Sequence, residues 1–332
     1  MKIFFRFNCG NMWGLGHLYR NITLIKEMTR RGAECEVIIN DHKVAQEILE
    51  KAHIPLSQVN EYESAEELIS AMGGISGNEK KVVFWDRLDS DVPYIRKLAE
   101  SGVKIITYDD YDPSALFAAE CINTRRVRID NRFPRYSGPA FQILRNDIRE
   151  YSRKRKVIHQ SVSKILLHFG GTDPLRILET CFDATRNLEG CIFEFIGGKE
   201  EDPAVEQKIK TSNNATYEQG VSDFGRRLFE ADICLVAGGV SMYEAAAIGT
   251  PMINICHNKD QEYAAAIFEK SVGSVNLGIA SKLTHQEILD VIVSLKDDYE
   301  RRQDMSQRMK AFVPSDGVER ICNIIERVIT ET

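Results

Sequence analysis

The 332-residue sequence has no long apolar run: the longest, at residues 164–169 and 232–239, fall far short of the roughly 20 residues a membrane-spanning helix needs. Asn8, Asn11 and His17 follow closely behind the first apolar stretch, so neither a signal peptide nor a membrane anchor is expected and the protein reads as cytoplasmic. It also lacks any C-x-x-C pair and any Cys/His cluster at zinc spacing. The 8 cysteines (Cys9, Cys35, Cys121, Cys181, Cys191, Cys234, Cys256 and Cys322) lie scattered, mostly within apolar segments, as reduced buried thiols would, and no structural metal is expected. Internal repeats and low-complexity tracts are missing too. A composition of 43% hydrophobic, 28% charged and 8% aromatic residues excludes disorder for the bulk of the chain, whose length gives room for two domains.

The net charge of -6 is unevenly spread: residues 1–160 carry 25 Lys+Arg against 22 Asp+Glu, and residues 161–332 carry 18 against 27. Much of the basic excess sits between Arg125 and Lys156, including Arg126, Arg128, Arg132, Arg135, Arg145, Arg149, Arg153, Lys154 and Arg155. The overall balance is acidic, which argues against nucleic acid and for a solvated linker or a phosphate-facing surface.

Apolar runs and helical periods alternate along the chain. Residues 2–7 read as a buried strand, 17–31 as a helix, and 34–39 as the next strand after a Gly32 stop. A helix near 42–52, a strand at 81–85, a helix at 92–101 closed by Gly102 and a strand at 103–108 follow. From about 124 to 160 the periodicity fails and Arg, Pro and Gly accumulate, which marks a connector. Alternation restarts at 164 and runs to 277, and the last fifty residues read as helical. Strand and helix in this order imply two doubly wound parallel α/β domains in tandem: residues 1–150, residues 160–315, and a helix at 316–332 packing back towards the first domain. Ligands of such sheets bind outside the carboxyl ends of the strands, so an interdomain cleft is the expected site.

Three strand-to-helix turns carry chemistry. The first, Gly14-Leu15-Gly16-His17-Leu18-Tyr19-Arg20, permits close backbone approach to a ligand at a helix start that favours anions, and His17 is suited to taking a proton near neutral pH. The plainer alternative is that it caps the helix or merely satisfies the loop, but its place in this glycine turn favours the chemical role. As a dinucleotide fingerprint the turn fails, because Tyr19 stands where a third glycine is needed. The second turn is Phe169-Gly170-Gly171-Thr172-Asp173-Pro174, read with proline at the first helical position and Asp173 or Thr172 as a cap, or as amides for a diphosphate. In the third, Gly238-Gly239-Val240-Ser241-Met242-Tyr243-Glu244, amides and the Ser241 hydroxyl can hold phosphate oxygens. Glu244 can accept from vicinal ribose hydroxyls or simply complement the helix dipole. A polar loop of His257, Asn258, Lys259, Asp260, Gln261 and Glu262 could meet a sugar or solvate the surface. Asp86-Arg87 and the acids Asp109, Asp110 and Asp112 also close strands, as cleft candidates or as acidic turns.

Together, Gly14-x-Gly16-His17-x-x-Arg20, F-G-G-T-D at 169–173, and G-G-V-S-x-x-E-A at 238–245 followed by D-Q-E at 260–262 resemble a GT-B family. That family contains the pseudaminic-acid-pathway UDP-sugar hydrolase, which acts on UDP-2,4-diacetamido-2,4,6-trideoxy-beta-L-altropyranose. It also contains the spore-coat polysaccharide proteins predicted to be glycosyltransferases. More distantly, the second half is similar to the nucleotide-binding domain of the undecaprenyl muramyl-peptide N-acetylglucosaminyltransferase. The resemblance implies two Rossmann-like domains with a UDP-sugar between them. His17 would activate water at the anomeric carbon, and Gly14, Gly16, Arg20 and Asp86 would line the sugar side. Gly170, Gly171, Thr172, Gly239, Val240, Ser241, Glu244, Asp260 and Gln261 would hold the nucleotide sugar, without cofactor or metal. The sequence departs from the hydrolase at Asp86-Arg87-Leu88, where the hydrolase has Asp-His-Tyr, and at Asp260, where it has asparagine; D-R-L looks closer to the spore-coat branch.

Three functions are expected in order. The first is hydrolysis of a UDP-activated deoxyamino sugar in nonulosonic-acid or surface-polysaccharide biosynthesis. The second is transfer from the same donor site to a sugar or lipid-linked hydroxyl, with peripheral membrane contact through the basic connector. The third is a non-catalytic nucleotide-sugar-binding subunit.

Overall fold

The computed structural model describes residues 2–10, 16–74, 81–87, 90–110, 113–124, 136–198 and 203–331. Gly14, Leu88, Asp112 and the connector residues 125–135 lie outside the described residues. The chain divides into two compact units, residues 1–145 with 316–332, and residues 146–315.

Unit 1 runs β1 (Lys2–Phe7), α1 (Gly16–Arg30), β2 (Glu34–Asn40), α2 (Lys43–Lys51), β3 (Leu56–Val59), α3 (Ala65–Ala71), β4 (Val82–Asp86), α4 (Val92–Glu100), β5 (Lys104–Tyr108), β6 (Glu120–Asn123) and β7 (Tyr136–Ser137). The strands form one parallel sheet in the order β3-β2-β1-β4-β5-β6-β7. Strand alternation decides which core each side chain enters. Ile3, Phe5 and Phe7 join Leu18, Leu24 and Ile25 of α1 on one face, and Phe4 joins Trp85, Leu68, Ile95 and Leu98 on the other. Arg6 falls on the Phe4 face and is fully buried, which requires a partner. Glu63 supplies it, accepting from Arg6 Nε at 2.8 Å and Nη2 at 2.7 Å. Gly32 and Gly102 end α1 and α4 with φ near 90°, a conformation open to glycine at no steric cost.

Unit 2 runs α5 (Asn146–Ser152), β8 (Lys164–His168), α6 (Ile177–Thr185), β9 (Ile192–Gly197), α7 (Pro203–Ile209), β10 (Ala215–Gln219), α8 (Phe224–Glu230), β11 (Ile233–Val236), α9 (Val240–Ile248), β12 (Met252–Cys256), α10 (Lys259–Val272), β13 (Val275–Ile279), α11 (His285–Asp297) and α12 (Tyr299–Phe312). Its sheet is also parallel, in the order β10-β9-β8-β11-β12-β13. One sequence expectation shifts here: Pro174 precedes α6 and does not open it. The chain turns at Asp173, Arg176 takes a left-handed φ of 51°, and only then does the helix begin.

α13 (Gly317–Thr330) returns to unit 1. Val318, Ile321, Cys322, Ile325 and Val328 complete the core beneath α1. Gly317 is fixed by packing, since a Cβ there would lie 2.3 Å from the Gln142 carbonyl oxygen. Among the described residues no helix is long and apolar enough to cross a membrane, and no group of His, Cys, Asp and Glu could hold a metal ion.

Candidate functional site

In each sheet the chain reverses its direction of strand addition once: between β1 and β4 in unit 1, and between β8 and β11 in unit 2. The carboxyl ends at such switch points are where open α/β sheets bind ligands, because the diverging loops leave a crevice there. Among the described residues, the sequence-named site residues lie at or just beyond the ends of β1, β4, β8 and β11, except Asp260 and Gln261, which follow the neighbouring β12.

In unit 1 the β1–β4 crevice is occupied by one ionic cluster. Asp86, the last residue of β4, is completely buried, and both its oxygens are engaged by side chains of α1. His17 Nδ1 lies 2.9 Å from Oδ1, which also accepts from Arg20 Nη2. Oδ2 accepts from Arg20 Nε and from Asn21 Nδ2, both at 2.6 Å. Burial alone would push this carboxyl up, but the Arg20 guanidinium and the hydrogen bonds from His17 and Arg20 more than offset it and hold Asp86 well below the usual carboxylate range. An ionised carboxylate only accepts, so the proton on His17 is assigned to Nδ1 and Nε2 keeps its lone pair. Arg20 Nη2 also lies 3.0 Å from Nδ1, but as a donor beside a protonated nitrogen it bonds Asp86 and not the ring.

Arg20 is fixed from every side. Its guanidinium lies 4.9 Å from the centre of the Tyr108 ring, and Nη1 is 3.5 Å from Asp109 Oδ2. Asp109, at the end of β5, has φ 56°, and its Oδ1 accepts from Thr124 N at 2.7 Å and Thr124 Oγ1 at 2.8 Å. Asp86, expected on the sugar side, is wholly buried against His17 and Arg20. Arg87 points the other way, as strand alternation demands, and donates to Glu63 at 3.0 and 3.1 Å. The departure from the hydrolase at this position therefore enters a buried ion pair. Gly16, the first residue of α1, is exposed, with open space where a side chain would begin. Sequence reasoning missed Asn21, although its place one turn after His17 puts both on one helix face.

In unit 2 three loops meet at the switch point. Gly170 (φ 113°), Gly171 and Thr172 follow β8, with Gly171 and Thr172 exposed. Asp173 is turned inward, where its Oδ2 accepts from Leu178 N at 2.8 Å and so caps the displaced start of α6. Gly198, past the end of β9, abuts this loop: a Cβ there would fall 2.1 Å from the Gly171 carbonyl oxygen. After β11, Gly238 presses on the loop after β12, where a Cβ would lie 2.3 Å from the Gln261 carbonyl oxygen. Gly239 stands before α9 with room around it, followed by exposed Val240 and half-buried Ser241. Glu244 is buried one turn into α9, 4% exposed. Gln261 is pinned, its Oε1 accepting from His257 N at 2.9 Å, whereas Asp260 is exposed on the first turn of α10. His257 Nε2 donates to the Phe169 carbonyl at 2.9 Å and so ties the loop after β12 to the loop after β8.

No family model matches the chain. The spore coat polysaccharide biosynthesis protein SpsG of Bacillus subtilis is 19% identical over 326 residues, covering 94% of each chain. An uncharacterized protein of Methanocaldococcus jannaschii is 22% identical over 287 residues, covering 80% of this chain and 57% of that protein. Among solved structures, MurG of Acinetobacter baumannii superposes with a TM-score of 0.70 at 12% identity, covering 98% of this chain and 99% of that one. The spinosyn rhamnosyltransferase SpnG, complexed with thymidine diphosphate, gives 0.67 at 11% identity, covering 97% and 100%. UDP-GlcNAc 2-epimerase from Neisseria meningitidis, bound to UDP-GlcNAc, gives 0.64 at 13% identity over the full length of both chains. In fold the chain is of the GT-B type, and over nearly its whole length it is similar to the spore coat polysaccharide biosynthesis protein SpsG.

Proposed function

We propose that the protein is a nucleotide-sugar enzyme of surface-polysaccharide or nonulosonic-acid biosynthesis. On this reading it cleaves the anomeric C–O bond of a UDP-activated deoxyamino sugar and releases UDP, with His17 as general base and water as acceptor. The observation that carries the reading is the His17–Asp86 pair. A buried carboxylate behind Nδ1 orients the imidazole, fixes its tautomer and stabilises the imidazolium that forms when Nε2 takes a proton. Arg20 and Asn21 saturate the rest of that carboxylate, so its charge is held in place rather than offered to the ligand. Unit 2 supplies the nucleotide site, with the turns at Gly170-Gly171-Thr172 and Gly239-Val240-Ser241 presenting amides to the diphosphate. Glu244 and Gln261 take the ribose and sugar side, and Asp260 lies at its rim. Departure of UDP is assisted by amides and helix starts already directed at the charge, a form of stabilisation that asks no reorganisation of the protein. The UDP-GlcNAc and thymidine diphosphate bound by similarly folded proteins support a nucleoside diphosphate ligand here.

A second reading keeps the same residues and replaces water by a sugar or lipid-linked hydroxyl. The spinosyn rhamnosyltransferase among the similarly folded proteins favours it, as does Arg87, which stands in a buried ion pair where the hydrolase has histidine. Incubation with a panel of UDP-sugars and no acceptor separates the two. Rapid UDP release that His17→Ala abolishes supports hydrolysis; release only after an acceptor is added establishes transfer. UDP binding without turnover of any donor–acceptor mixture leaves a binding subunit.

A further inference from the structure

Two buried polar atoms of unit 2 have no hydrogen-bond partner and lie 3.9 Å apart: Nδ1 of His257 and Oδ1 of Asp173. Both side chains are at least nine-tenths buried, at 10% and 1% exposure. Close-packed interiors rarely leave such atoms unpaired, so an arrangement that retains two of them side by side needs a reason beyond packing.

The anchoring of each residue supplies one. Asp173 is held by Leu178 N at the start of α6. His257 is held twice, by its own N–H on Gln261 Oε1 and by Nε2 on the Phe169 carbonyl. In the sheet order β8-β11-β12 these contacts join the loops of the two strands that flank β11. The imidazole thus spans the strand from whose end Gly238 and Gly239 lead into α9. Movement of the 169–173 loop relative to the 257–261 segment would have to break the Nε2 contact or drive the two unpaired atoms together.

We infer that His257 and Asp173 are a positioning pair that sets the spacing of the loops after β8 and β12, and through it the aim of the backbone groups that hold a nucleoside diphosphate. The inference rests on the nucleotide-sugar reading above. Neither residue needs to touch the diphosphate. A loop displaced by about 1 Å loses aligned amide contacts, and misplacements of that size cost up to roughly 100-fold in sites built on positioning.

UDP binding to the full-length chain, measured by calorimetry and set beside the ligand-free melting temperature, tests the pair. His257→Phe removes the Nε2 donor and is expected to weaken UDP binding at least about tenfold, while the melting temperature moves by less than about 4 °C. His257→Gln places an amide donor near the position of Nε2 and is expected to recover affinity to within about threefold of wild type. Asp173→Asn keeps an acceptor for Leu178 N and presents an N–H to His257; it is expected to change UDP affinity by at least about threefold at unaltered melting temperature. Unchanged affinity in His257→Phe and Asp173→Asn overturns the inference. So does a joint fall of affinity and melting temperature that glutamine fails to rescue, which would mark a merely structural role. Should His257→Phe not fold, Asp173→Asn and His257→Gln decide alone, and wild-type affinity in both refutes the pair. Wild-type protein that binds no UDP removes the nucleotide-sugar reading itself, a result distinct from any of these.

Discussion

Asp86 accepts from three side chains at once, and no part of it reaches solvent, so its charge is balanced locally or not at all. Asp86→Asn is expected to destabilise the protein by about 3–5 kcal/mol, because the buried Arg20 guanidinium then retains only Asp109 at 3.5 Å. Urea denaturation measures this. Its pH dependence follows from the depressed carboxyl: the stabilisation is fully present above the unfolded-state value near about 4 and is lost as pH falls through the folded-state value below it. The stability gap between wild type and Asp86→Asn should therefore be constant from pH 7 to about pH 5 and should narrow below about pH 4; a gap that already shrinks between pH 7 and 6 would contradict the assignment. His17 tests the chemistry of the same cluster. Its side chain lies at the edge of the cluster, 13% exposed, and His17→Ala should lower kcat by about 10²- to 10⁴-fold, the usual contribution of a general base, while leaving UDP affinity within about threefold.

At the scale of elements, paired glycines between strand and helix have unequal duties. Gly238 packs so closely on Gln261 that Gly238→Ala forces a backbone shift, and a loss of about 1–3 kcal/mol is expected together with weaker nucleotide binding. Gly239 has nothing nearer than 3.9 Å from an added Cβ. Gly239→Ala should melt like wild type and lose only UDP affinity, which thermal melts and calorimetry on the two variants would show. Such turns were legible in the sequence because a fully buried parallel strand is a continuous apolar run and the glycines punctuate its end. Short elements near the sheet edges were not: β3, β6 and β7 have four residues or fewer, and α3 spans seven, too few for a period to show. The Ser64–Glu67 capping box was the available signal for α3. The role of Asp86 was hidden for a different reason, since it depends on β1 and β4 being neighbours, a fact of sheet order that residues 69 apart in sequence do not reveal. The basic stretch illustrates the same limit. Lys156 donates to the carbonyls of Leu228, Phe229 and Ala231 at the end of α8, where burial lowers its ammonium to about 8, so this lysine closes a helix instead of facing a phosphate.

For the whole molecule the consequence of topology is that the chain crosses between the units twice, at residues 145–146 and 315–316, and the two units depend differently on that path. Unit 2 is one continuous segment with its own sheet and every loop of the proposed nucleotide site. Unit 1 is assembled from both ends of the sequence. α13 contributes Val318, Ile321, Ile325 and Val328 to the core that α1 also covers, and Arg31 joins the two helices through Asn323 and Glu326. Each buried aliphatic side chain contributes about 1.5–3 kcal/mol, so removal of these four alone, about 6–12 kcal/mol, is comparable to the roughly 5–15 kcal/mol that separates folded from unfolded domains. A chain ending at Ser315 is therefore expected to lose the folded state of unit 1 while unit 2 persists. The isolated segment 146–315 should melt cooperatively and bind UDP with the affinity of the full chain to within about tenfold, and it should have no hydrolytic or transfer activity, because His17 and Asp86 are absent. Circular dichroism melts and UDP titration of the two truncations check this. If the segment folds but does not bind UDP, unit 1 must contribute nucleotide contacts, and the division of labour assigned to the two units is wrong.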